Sequence, residues 1–182
     1  MKQAFTELLD NKGFENISVY DIANRADINR GTFYLHYRDK YELYEKYVDE
    51  LLTDLISTVE MSSREREQIK NGIKRRDNDP YVQFFKHFQR YSHFYKPIFK
   101  YKGGKYFYIQ FIEVFKKHFH EEAKHLNVND EELKMNKELI IYSIAHVHFG
   151  VINYWLDNDM SDSPETMGEQ LNSLLSSISS NF

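Results

Sequence analysis

The chain has 182 residues, no cysteine, and 24 Lys plus Arg against 28 Asp plus Glu, for a net charge near −4. That length suits one ordinary domain, or a small module joined to a larger one, and it can bury a core without disulfide or metal staples. Having no thiol excludes a disulfide scaffold, a thiolate zinc site and a thiol nucleophile; the apolar stretches fall short of the roughly 18 residues of a membrane span and no signal-peptide pattern opens the chain, so no membrane partner and a cytoplasmic location are expected.

Only 7 Gly and 3 Pro punctuate the sequence, too few for a sandwich or barrel with many tight turns. Read for periodicity, nearly all of it is helical. A first helix over 1–11 carries Phe5, Leu8 and Leu9 on one face and stops at Lys12-Gly13-Phe14, with Gly13 expected as a left-handed C-cap. Ser18 opens the second, with Asp21 completing an approximate capping box. Its apolar positions Val19, Ile22, Ala23 and Ala26 fall on one face. A break at Asp27-Ile28-Asn29 leads to a short third helix, Arg30 to Tyr37, that buries Phe33 and Tyr37. Asp39 caps a fourth, with Glu42 at the capping-box position, running through Leu43, Tyr47, Leu51 and Leu55 towards Glu60.

Residues 61–79 read as a connection. Their basic residues Arg64, Arg66, Lys70, Lys74, Arg75 and Arg76 are taken as a solvated run rather than a second DNA patch. Asp79 as N-cap and Pro80 as first helical residue launch the next helix, with Phe84, Phe85, Phe88 and Tyr91. Pro97 and the pair Gly103-Gly104 then interrupt the pattern, the glycines reading as a loop or a hinge. Helices are predicted over 105–125 and 129–157, and Ser163-Pro164 launches the last. The fold class is all-α, with about nine helices and a domain boundary inside the fourth.

The second and third helices form a helix-turn-helix, in which the second crosses the DNA backbone and the third offers its outer face to the major groove. Arg30 can fork onto guanine, Gly31 lets the backbone approach a base edge, and Thr32 offers a hydroxyl and a methyl. Tyr34, His36 and Lys40 are donors suited to phosphate, and Ser18 lies at a helix start where phosphate is welcome. Residues 1–40 carry 6 basic and 6 acidic side chains, so non-specific DNA binding should be weak; Arg25, Arg30, Arg38 and Lys40 supply the local positive charge.

Residues Gly13-Phe14-Glu15-Asn16-Ile17-Ser18-Val19-Tyr20-Asp21-Ile22-Ala23, followed by Arg30-Gly31-Thr32-Phe33-Tyr34-Leu35-His36-Tyr37 and Lys40, resemble the DNA-binding domain of the TetR family of bacterial transcriptional regulators over roughly residues 4–50. The resemblance implies recognition-helix contacts at Asn29, Arg30, Gly31, Thr32 and Tyr34, and phosphate contacts at Ser18, Tyr20, His36 and Lys40. Two features depart from the family: Asp27 stands where the turn usually has Gly, and Met1 sits almost at the motif, so no minor-groove contact from a basic arm is expected. Residues 1–45 are thus the helix-turn-helix domain and 46–182 a helical ligand-binding and dimerisation domain. Ala145 to Leu156 with Ser163-Pro164-Glu165 is similar to the helix eight to helix nine junction of family members with compact ligand domains, which implies a homodimer through the last two helices.

The eighth helix is apolar nearly all round, so a partner subunit should cover part of it. The expected interface includes Ile144, Val151, Trp155, Leu171, Leu174 and Ile178. Fifteen of the 29 aromatic residues lie between Tyr81 and Phe119. A pocket lined by some of Phe88, Tyr91, Tyr108, Phe111, Phe115 and His146 should take a mostly apolar or aromatic small-molecule effector. His148, like His146, lies inside the apolar eighth helix and is read first as a core or interface residue. His118, His120 and His125 do not share one helix face and are read as surface residues, so no metal is expected. No nucleophile elbow, phosphate cradle, dinucleotide fingerprint or paired-carboxylate motif is present, which argues against an enzyme and against a cofactor. The reading is a dimeric repressor released from a palindromic DNA operator by its effector. The alternative is a TetR-like co-regulator that acts by protein–protein contact without binding DNA.

Overall fold

Capping residues and apolar spacing set nine α-helices and one 3-10 turn among the residues described by this computed structural model, which are 1–60, 79–100, 104–130 and 133–180, without the side chains of 100 and 178–180. No strand occurs among them. The helices are α1 (Lys2–Lys12), α2 (Val19–Arg25), α3 (Arg30–Tyr34), α4 (Lys40–Val59), α5 (Pro80–Arg90), α6 (Ser92–Lys100), α7 (Gly104–His125), α8 (Lys137–Asp157) and α9 (Pro164–Ser180). The basic run 64–76, Gly103 and the side chain of Ile178 lie outside the described residues.

The starts follow the expected chemistry. Ser18 and Asp21 form a complete capping box on α2. Asp39 Oδ1 accepts from the Glu42 amide at 2.9 Å, while the Glu42 carboxylate reaches the Arg38 amide rather than that of Asp39. Asp79 Oδ1 accepts from the Tyr81 amide at 2.9 Å, and Ser163 Oγ from the Thr166 amide at 3.1 Å.

Five expectations need correction. Gly13 does take a positive φ of 71°, but its ψ of 153° lies outside the left-handed helical region, because the chain must turn directly into the 3-10 turn Phe14–Asn16. Helix α3 ends at Tyr34, and the Tyr37 amide only closes a last turn onto the Phe33 carbonyl at 3.0 Å. Pro97 sits inside α6 instead of breaking it. The bond it cannot make is to the carbonyl of the exposed His93, which water can satisfy, and its ring is buried in the company of Phe94, Tyr95 and Ile98. Helix α8 starts at Lys137 rather than 129, where Asn136 Oδ1 caps the Leu139 amide at 3.1 Å. Finally, α8 is long and apolar enough to cross a membrane by length and composition, with a mean hydropathy of 1.3; interspersed polar Ser143, His146, His148 and Asn153 hide this from a search for unbroken apolar runs.

Two compact units result: residues 1–53 with 91–110, and 54–90 with 111–182. In the first, α1 packs on α6, and a chain of rings links Phe5, Phe14, Tyr44 and Phe94 at centroid distances of 5.2–6.2 Å. In the second, α5 packs on α9 at Gly168, where an added Cβ would lie 3.0 Å from the Val82 backbone nitrogen. The Phe84, Phe85, Phe88, Phe111, Phe115 and Trp155 side chains fill its centre.

Candidate nucleic-acid interface

The turn between α2 and α3 is built from backbone bonds alone. Asp27 takes a φ of 52°, the Ile28 amide donates to the Ala23 carbonyl at 3.0 Å, and the Asp27 amide to the Asn24 carbonyl at 3.3 Å. This is a Schellman closure with Asp in the position that glycine usually holds; a short polar side chain tolerates that conformation better than others.

Phe33 anchors α3 in the core, which leaves the opposite face to solvent. Along α3 and its ends, Asn29, Arg30, Gly31, Tyr34 and His36 are exposed and Thr32 is half-buried. A Cβ built on Gly31 would meet no atom within 4 Å, so the backbone is open to an approaching base edge. Arg30 Nη2 lies 3.4 Å from the Tyr34 hydroxyl, with its guanidinium 6.0 Å from the ring centre, so the two side chains form one donor surface. Leu35, absent from the residues picked out by sequence, is 83% exposed beside Tyr34. The sequence signal for it was its place between Tyr34 and His36 in the motif.

The phosphate candidates are less free. Tyr20 is 63% exposed. The Ser18 hydroxyl is engaged in its cap, 2.6 Å from Asp21 Oδ2. Asp21 also holds Lys12 at 2.6 Å, and these bonds keep its carboxyl well below the usual range. Lys40 is half-buried, donating to the Phe14 and Glu15 carbonyls at 3.0 and 2.9 Å, with its ammonium 5.0 Å from the Phe14 ring centre. Among the other cations, Arg25 pairs with Glu7, and Arg38 with Asp39 at 3.5 Å.

In the second unit, Phe111 and Phe115 stack at 4.2 Å and Phe88 lies 6.4 Å from Phe111, so three of the pocket candidates come together. Tyr91 and Tyr108 belong to the first unit. His146 lies against the exposed Tyr142 ring, at 4.0 Å, with its Nδ1 2.7 Å from the Tyr142 carbonyl. The imidazole among the phenyl rings is that of His148. Of the interface candidates, Trp155 and Leu171 are buried within the chain, Trp155 donating to the Asp162 carbonyl at 2.9 Å. Ile144 and Val151 are half-buried and Leu174 is exposed. A groove of about 320 Å³ runs between α8 and α9, lined by Gly150, Val151, Tyr154, Met167, Gln170, Leu171 and Leu174. No group of three or more His, Asp or Glu arranged to hold a metal occurs among the described residues.

Residues 3–47 match the family described as bacterial regulatory proteins, tetR family, and residues 78–177 match that described as transcriptional regulator C-terminal region. The uncharacterized HTH-type transcriptional regulator YxbF of Bacillus subtilis (strain 168) is 23% identical over 177 residues, which cover 97% of this chain and 44% of YxbF; the chain thus spans less than half of that relative's length. Among solved structures, the dihydroxyacetone kinase operon activator DhaS is similar with a TM-score of 0.68 and 19% identity, over 99% of this chain and 94% of that one. A putative TetR-family transcriptional regulator from Syntrophomonas wolfei strain Goettingen gives a TM-score of 0.69 and 15% identity, over 97% and 91%.

Proposed function

Because the chain belongs to the TetR family of bacterial transcriptional regulators, we propose that it is a cytoplasmic, homodimeric repressor that a small molecule releases from a palindromic operator. The observation that carries this reading is the outer face of α3, where Arg30 and Tyr34 form a joined donor surface beside the open Gly31 backbone. In the major groove, Arg30 would fork onto guanine O6 and N7, with Leu35 against a thymine methyl. Asn29, Thr32 and Tyr34 complete the base-facing set, and Ser18, Tyr20, His36 and Lys40 the phosphate set. Residues 1–45 serve as the reading head and 46–182 as the effector and dimerisation region, with α4 as the link.

Dimerisation is supported by α8, of whose apolar window only 33% is buried within the subunit. A partner's helices would cover the half-buried Ile144 and Val151 together with Leu174, Gly150 and Tyr154, with Trp155 and Leu171 forming the wall behind them. The same demand for cover accounts for the membrane-like length and composition of α8 without a membrane. The effector, mostly apolar or aromatic, would enter the rings of Phe88, Phe111 and Phe115.

The competing reading, a co-regulator that docks a protein instead of DNA, draws on the pairing of Lys12, Arg25 and Arg38 with acids. Selection of bound duplexes from a random library separates the two. An enriched palindrome with half-site centres about 34–36 Å apart, or a multiple of that, is expected for the repressor. No enrichment at low salt would favour the co-regulator.

A further inference from the structure

Among the described residues two histidines are buried, His87 and His148. His87 is answered by Asp54, 3.3 Å from its Nδ1. His148, only 3% exposed, is answered on one side alone. Its Nδ1–H donates to the Ile144 carbonyl at 2.8 Å. A carbonyl can only accept, so this bond fixes the neutral tautomer and leaves Nε2 with a lone pair and no proton. No donor among the described residues bonds to Nε2. Its neighbours are aromatic rings: Phe119 at 5.2 Å, Phe115 at 5.4 Å, Phe84 at 5.6 Å and Tyr81 at 6.2 Å between centroids. Burial holds the imidazole pKa down to about 4, so the lone pair persists at neutral pH.

An apolar ring in this place would fill the same space without a buried acceptor left unmet, which is a costly arrangement in a core. The cage is also closed unevenly. Phe84 and Phe115 are buried, whereas Tyr81 and Phe119 are half-exposed, so a shift of either ring would open the imidazole to a visitor from solvent.

We propose that His148 is the specificity-determining contact of the effector site, accepting a hydrogen bond from a flat, neutral, mostly apolar ligand that carries an O–H or N–H donor. This rests on the effector reading above and narrows it. A carboxylate would bring its own lone pairs to the Nε2 lone pair and lose its hydration among the rings, so a neutral donor is preferred to an anion even with the His118 imidazole nearby. A ligand of the same shape without a donor leaves Nε2 unmet and binds less well.

The test uses the full chain labelled with 15N-histidine and four probes: phenol, indole, toluene and benzoate. Phenol and indole are expected to move the His148 Nε2 resonance and to bind at least tenfold more tightly than toluene or benzoate, a difference of about 1.4 kcal/mol. His148→Phe should erase the preference for phenol over toluene while leaving toluene affinity within about threefold. Should that variant fail to fold, the wild-type Nε2 response decides alone. Equal affinity for all four probes, no binding of phenol and indole, or an Nε2 resonance indifferent to both would overturn the inference. Operator affinity, measured on the selected duplex, separates the two claims. A His148-dependent donor preference that leaves operator binding unchanged keeps this site and removes the switch. Operator release by a compound indifferent to His148→Phe keeps the switch and removes this site.

Discussion

Lys40 has a structural task inside the N-terminal unit. Its ammonium ties the 3-10 turn to the start of α4 through the Phe14 and Glu15 carbonyls, and at most one of its three donors is left for a phosphate. Lys40→Met should therefore lower stability by about 1–3 kcal/mol, in addition to weakening DNA binding on all sequences alike. Urea denaturation reads the first effect; an unchanged midpoint would mean that the two bonds are idle. His148 carries a pH signature of its own. Its folded pKa of about 4 lies below the unfolded value near 6.5, so on acidification the unfolded chain takes up the proton first. Stability is thus present in full above pH 6.5 and lost as pH falls towards 4, by roughly 2 kcal/mol between pH 7 and 5. Nearby His118 pushes in the same direction, and His87 titrates likewise, lowered to about 4 by burial against partial opposition from Asp54. His148→Phe should shrink the fall between pH 7 and 5 without abolishing it. At this scale the exposure of Arg30, Gly31 and Tyr34 was legible in sequence, because each has a fixed offset from the buried Phe33. His146 and His148 were not separable: α8 is apolar nearly all round, so it supplies no reference face to say which of two histidines, two residues apart, points into the core.

Three helices end on the same device. After α2, α7 and α8, residues Asp27, Asn127 and Asp159 take φ values of 52–55°. The following amides, of Ile28, Val128 and Met160, close onto carbonyls five residues back at 2.9–3.0 Å. A chain poor in glycine thus makes left-handed caps from Asp and Asn, which is why helix starts were easier to read than helix ends. The start of α8 misled for a related reason. Asn129-Asp130 ahead of Glu131-Glu132 imitates an N-cap, whereas the capping contact belongs to Asn136. Replacing Asp27 by Gly should stabilise the head by about 0.5–1 kcal/mol by removing the left-handed penalty. A fall in melting temperature would show instead that the Asp27 side chain contributes something that its backbone does not. Gly168 is the opposite case. The close approach of α9 to α5 leaves no room for a methyl against the Val82 backbone, so Gly168→Ala should destabilise by about 1–3 kcal/mol, read by thermal denaturation. An unchanged melting temperature would mean that the two helices part without loss.

For the whole molecule, the all-α class and the family were legible from composition, helix caps and one motif. The two compact units were not, since 91–110 joins residues 1–53 through ring contacts that no local pattern announces. The same assembly pairs several cations of residues 1–40 with acids, leaving Arg30 beside the uncharged Tyr34 hydroxyl. DNA binding should then depend on base contacts more than on bulk charge. The most direct test is a titration of the selected palindrome, and of a scrambled duplex, with wild-type protein and Arg30→Ala at several salt concentrations. One dimer per palindrome is expected. Arg30→Ala should cost about 1–3 kcal/mol on the selected site and relax the preference at one base position, with little change on the scrambled duplex. Equal binding of both duplexes by the wild type, or an Arg30→Ala variant with affinity and preference intact, would contradict sequence reading by α3.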